Sequence, residues 1–96
     1  MQRITDDLEQ HFEHDNVNLV IGFGTEAEDN NAKVFFYEYD VSSNNYQTLK
    51  KLSKKVSERL NAKYPEFRKK QYIEIRFTEE SKSDENNSFV NFRHYN

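Results

Sequence analysis

Three histidines, a run of lysines and a surplus of tyrosine and phenylalanine are what this 96-residue chain offers for chemistry. His11 and His14 stand three apart, with Asp7 four residues before His11. On a helix that spacing sets the two rings on neighbouring faces, where they would chelate a divalent cation if His94 or a loop carboxylate added a third ligand. The order His-Phe-Glu-His matches neither common zinc-protease motif, so the expected reading is solvated histidines among acids, with no metal and no cofactor. With no cysteine there is no thiol nucleophile, thiolate cluster or disulfide. Ser42, Ser43, Ser53 and Ser57 lack the context of a nucleophile elbow. No helix opens directly after Gly22-Phe23-Gly24, so it is not a phosphate cradle. The acidic stretches at 26–31 and 84–87 lack the register of a calcium loop. No catalytic residue is assigned, and the chain reads as a non-enzyme.

Charge is the most informative feature. Residues 50–70 hold nine bases and two acids, whereas the rest of the chain holds five bases and fifteen acids. Lys51, Lys55, Arg59 and Lys63 recur every four residues and form a row along one side of a helix. Such a row suits phosphates, an anionic surface or an acidic partner. The overall charge of −3 repels a polyanion from most directions, which makes single-stranded nucleic acid the alternative partner and another protein, or a second copy, the first.

The elements that must position these residues follow from periodicity. Ile4, Leu8 and Phe12 recur every four residues and predict an amphipathic helix over about residues 3–14. Val17, Leu19, Ile21 and Phe23 alternate with Asn18, Val20, Gly22 and Gly24, predicting a strand over about 17–23 with the first set inward. A second strand is expected over about 33–41, its facing undecided between Val34/Phe36 and Phe35/Tyr37/Tyr39/Val41. Leu49, Leu52, Val56 and Leu60 then predict a helix over about 46–63, stopped by Pro65. Ile73, Ile75 and Phe77 alternate with Tyr72, Glu74 and Arg76 in a strand over about 71–78, and a last strand is expected over about 89–95.

The length suits a single small domain covering residues 1–96, with a lean core that relies on aromatics. The order α-β-β-α-β-β predicts an α+β fold with one four-stranded antiparallel sheet and both helices on one face. The other face would then show Tyr72, Glu74 and Arg76 with one or more of Tyr37, Tyr39, Phe89 and Tyr95. The expected function is a non-catalytic protein-interaction domain, with Tyr72, Arg76 and Tyr95 as the sheet-face contacts. Lys51, Lys55, Arg59 and Lys63 would make the electrostatic contact, or bind a polyanion in the alternative reading. The apolar runs Leu19-Val20-Ile21 and Val34-Phe35-Phe36-Tyr37 are far short of the roughly 20 residues of a membrane span. Acids in the first fifteen residues are the reverse of a signal peptide's basic start, which favours the cytoplasm, although a mature exported domain has the same composition.

Overall fold

The computed structural model describes residues 2–24, 30–41, 44–79 and 89–96. The Ser42/Ser43 turn and most of the two acidic loops, with Glu26, Glu28, Asp29, Asp84 and Glu85, lie outside the described residues. Helix α1 spans Gln2–His11 and buries Leu8. It stops short of the expected residue 14 because Glu13 takes a positive φ of 54°, and the His14 amide donates back to the Glu9 carbonyl at 3.0 Å. That left-handed closure ends many helices, more often with glycine. Strands β1 (Val17–Ile21) and β2 (Asn31–Phe36) follow as an antiparallel pair, with Val17 opposite Phe36 and Leu19 opposite Val34. Strand β2 ends five residues before the expected boundary of 41, because Glu38, with φ 53°, turns the chain out of the sheet.

Helix α2 runs over Tyr46–Lys63. Asn45 caps it by accepting from the Thr48 amide at 2.8 Å, and Tyr64 and Pro65 close it. Its buried side is Leu49, Ser53, Val56, Ser57 and Leu60. The two serines donate back to the carbonyls of Lys50 and Lys54, which satisfies hydroxyls placed against the sheet. A 3-10 turn over Pro65–Lys69, absent from the sequence expectations, buries Phe67 before strand β3 (Tyr72–Thr78) and strand β4 (Phe89–Tyr95).

The sheet order is β1-β2-β3-β4, and the expectation of a wholly antiparallel sheet is corrected: β2 and β3 are parallel, so the sheet is mixed. Alternation of apolar side chains is the same in either direction and could not separate the two. What decides is the crossover: α2 and the 3-10 turn carry the chain back to the end where β2 began, so β3 sets out alongside it. The Gln71 amide donating to the Asn30 carbonyl at 2.8 Å extends that central seam.

Register sorts the side chains. Val17, Leu19 and Ile21 share a face with Ala32, Val34 and Phe36, then with Ile73, Ile75 and Phe77, then with Val90, Phe92 and His94. Phe12, just after α1, meets Phe36 on that face at 6.3 Å between ring centroids, and Tyr46 of α2 meets Phe92 at 5.2 Å. Both helices therefore cover this face, and the undecided facing of β2 resolves to Val34 and Phe36 inward. Replacing Ile75, fully buried at the centre, by Ala is expected to cost about 2–5 kcal/mol by urea denaturation. Val20→Ala on the opposite face should stay within about 0.5 kcal/mol.

Candidate functional site

The face that carries no helix is built from alternate residues of the four strands. Asn18 and Val20 come from β1, Lys33 and Phe35 from β2, Tyr72, Glu74, Arg76 and Thr78 from β3, and Phe89, Asn91, Arg93 and Tyr95 from β4. Pleating alone puts them there, since successive side chains of a strand point to opposite faces. At its centre Glu74 is only 3% exposed. A carboxylate buried on a sheet is tolerated when cations and hydrogen bonds meet it. Here Arg93 donates from Nε to Oε1 at 2.8 Å, and an Arg76 Nη lies 3.9 Å from Oε2.

Each arginine is also stacked. The Arg76 guanidinium lies between Phe35 (5.4 Å to the ring centroid) and Phe89 (4.2 Å), with Nε donating to the Asn91 side chain at 3.2 Å. Arg93 lies 4.6 Å from the Tyr72 centroid, and Tyr72 in turn packs against Tyr95. The pairing with Glu74 and a hydrogen bond to Tyr95 hold the Arg93 guanidinium even more firmly protonated than usual. The face thus presents two aromatic–guanidinium clusters joined through one buried acid. Phe89 is 47% and Tyr95 67% exposed, so both clusters offer apolar area to solvent. The hollow among Phe35, Tyr37, Arg76, Thr78 and Phe89 has a volume of about 10 Å³, room for a single water. At that size the hollow does not admit a small-molecule substrate.

The predicted sheet residues Tyr72, Arg76 and Tyr95 lie on this face, with Tyr72 buried among its neighbours there. Arg93 and Phe35 were not singled out. The signal for Arg93 was the outward position of Glu74, because a carboxylate there needs a cation on the neighbouring strand. The predicted basic row divides. Lys51 and Lys55 are exposed on α2. Arg59 donates twice to Asp7 of α1, at 2.7 and 3.1 Å, and Lys63 donates to the same carboxylate at 2.7 Å. Two of the four bases therefore hold α1 to α2 through Asp7.

Two of the three histidines are likewise engaged. His14 bonds the Tyr37 carbonyl at 2.6 Å and lies against Phe36 and Tyr39. His94 meets Ser53 Oγ at 2.8 Å, but that hydroxyl donates to the Lys50 carbonyl and Ser53 is fully buried. The serine proton is spent on the helix, so His94 bonds it as a donor and the pair is not an activated nucleophile. Among the described residues no three His, Asp or Glu side chains are grouped to hold a metal ion, and no helix is long and apolar enough to cross a membrane. Comparison with protein-family models, curated proteins and solved structures returns no match to this chain.

Two pH effects follow. The Arg59 hydrogen bond, then Lys63 and the charges of both, outweigh burial and lower the Asp7 carboxyl from 3.8 to about 2. The clamp is fully present above about pH 4 and is lost as pH falls toward 2. Asp7→Asn should therefore unfold at lower urea than the parent at pH 7, and that gap should close with acidification between pH 4 and 2. Burial, then Lys54 and Lys50, push the His94 imidazole below its ordinary 6.5, opposed by Glu58. The folded state thus prefers the neutral ring, and stability falls as pH drops below about 6.5. An NMR titration should place the His94 midpoint under that value in the folded protein.

Proposed function

We propose that this chain is a non-catalytic interaction domain that holds a protein partner on the open face of its sheet. The observation that carries the reading is the pair of aromatic–guanidinium clusters on the face opposite the helices, where Phe89 and Tyr95 stay exposed. Exposed aromatic rings beside arginine are the composition of energetic centres in protein interfaces. The arginines are held flat by Glu74 and their neighbouring rings, so little side-chain entropy remains to be lost on binding. Among the described residues Lys33, Arg76 and Arg93 outnumber Glu74 on this face, which favours a partner segment bearing acids and aromatic or apolar side chains.

The second reading, binding of a polyanion or single-stranded nucleic acid, rests on Lys51 and Lys55, exposed on α2 with Lys50 and Lys54 beside them. The two readings differ in salt response. Peptides selected from a random displayed library should be rich in acids and aromatics and should shift the amides of Arg76, Phe89 and Tyr95 in NMR spectra. Arg76→Ala with Tyr95→Ala should weaken their binding about tenfold or more, whereas Lys51→Gln with Lys55→Gln should leave it nearly unchanged. A single-stranded oligonucleotide that bound instead through the lysines, with affinity falling steeply between about 50 and 300 mM salt, would replace the protein-partner reading.

A further inference from the structure

We propose that β4 pairs antiparallel with β4 of a second copy of this chain, about a two-fold axis through Phe92, joining two four-stranded sheets into one. Edge pairing uses the outward backbone groups of β4 and shares Phe89 and Tyr95 with the partner reading above; a monomer that binds the selected peptides overturns the pairing alone, and a dimer that binds none overturns the partner reading alone.

Strand β4 bonds β3 along one side, and among the described residues nothing pairs along the other. Its polarity can be read from one bond. The Asn96 amide donates to the Gln71 carbonyl at 3.1 Å, in line with the ladder that sets Tyr72 opposite Tyr95. Hydrogen-bonded pairs alternate along an antiparallel ladder. Val90, Phe92 and His94 therefore spend their amides and carbonyls on β3, while those of Phe89, Asn91, Arg93 and Tyr95 point outward. The strand is seven residues long, with no Pro, no Lys and no bulge in its register. These are the devices that ordinarily keep an edge from pairing.

The residues of β4 are self-complementary about Phe92. Centred there, Phe89 faces Tyr95 of the other copy, Val90 faces His94, Asn91 faces Arg93, and Phe92 faces itself. Every outward-pointing residue meets another outward-pointing residue, so the full strand supplies about eight inter-chain backbone bonds. A two-fold centred on Arg93 would set two guanidiniums face to face, and one centred on Asn91 would leave Tyr95 outside the paired strands. The Phe92 centre also gathers exposed apolar area. Of the five large hydrophobic side chains exposed among the described residues, Phe89 and Tyr95 would form two cross-strand aromatic pairs. A third, Tyr46, lies over Phe92 at 5.2 Å, next to the axis on the helical face. A closed isologous pair of this kind stops at two copies.

The test is the oligomeric state of the intact chain by sedimentation equilibrium, over a dilution series from about 1 mM to 1 µM. A reversible dimer is expected, with little loss at high salt because backbone and aromatic contacts carry it. In a mixed labelled and unlabelled sample, an isotope-filtered NOE spectrum should show Phe92 Hα close to its own symmetry mate. Asn91→Pro removes an outward amide and the side-chain bond to Arg76 while sparing the backbone bonds to β3, and should weaken the dimer at least about tenfold with the circular dichroism unchanged. Should that variant misfold, Phe89→Glu and Tyr95→Lys serve instead. Each alone should weaken the dimer, and the two variants mixed should associate more strongly than either with itself. A parent monomeric at 1 mM, or a dimer indifferent to all three substitutions, would overturn the proposal.

Discussion

The parallel seam between β2 and β3 is the constraint on which the rest depends. Two adjacent parallel strands cannot be joined by a tight turn, so the chain between them must cross one face of the sheet, and α2 is that crossing. Once α2 occupies that face, α1 completes the same layer, and Leu8, Leu49, Val56 and Leu60 share one core with the inward rows of the sheet. Among the described residues the opposite face carries no helix. The seam also fixes which strands are edges: each hairpin contributes one strand to the centre, and its other strand, β1 or β4, is pushed outward.

Two carboxylates secure this arrangement from opposite sides. Asp7, on α1, gathers Arg59 and Lys63 of α2 and ties together two helices that are neighbours only through the fold. Glu74, on the open face, gathers Arg93 and Arg76 and ties β3 to β4. Neither pairing is a simple gain in stability, since burying charge costs solvation that the partners return. Their effect is geometric. Asp7 sets the spacing of the helical layer, and Glu74 sets the planes of the guanidiniums on which the aromatic rings lie.

Where side-chain chemistry changes sharply with period, the fold was legible in the sequence. The Leu49, Val56 and Leu60 stripe, opened by Asn45 and closed by Pro65, reads directly as α2, and the alternation of β3 reads as a strand. Strand β2 was ambiguous because Phe35 and Phe36 are equally apolar, so only the register with β1 and β3 tells which one enters the core. Its early end was hidden because the turn depends on the backbone of Glu38 and not on a Gly or Pro. Strand direction left no local trace. On the candidate site, Tyr72 and Arg76 were accessible through β3 alternation, whereas the facing of β4, and with it Tyr95, was open until the register with β3 fixed it. The use of Arg59 and Lys63 was not, because their partner Asp7 lies more than fifty residues away in sequence.

The crossover has a kinetic consequence. Each hairpin joins strands adjacent in the sequence and can form early, but the seam closes a loop that contains all of α2 and the 3-10 turn. Until Val34 meets Ile75 and Phe36 meets Phe77, each hairpin shows its inward row to water. The seam therefore carries the largest loop-closure cost of the three strand pairings. The chain is most prone to mispairing in the interval before α2 docks, when two apolar hairpins exist without the helical layer that will cover them.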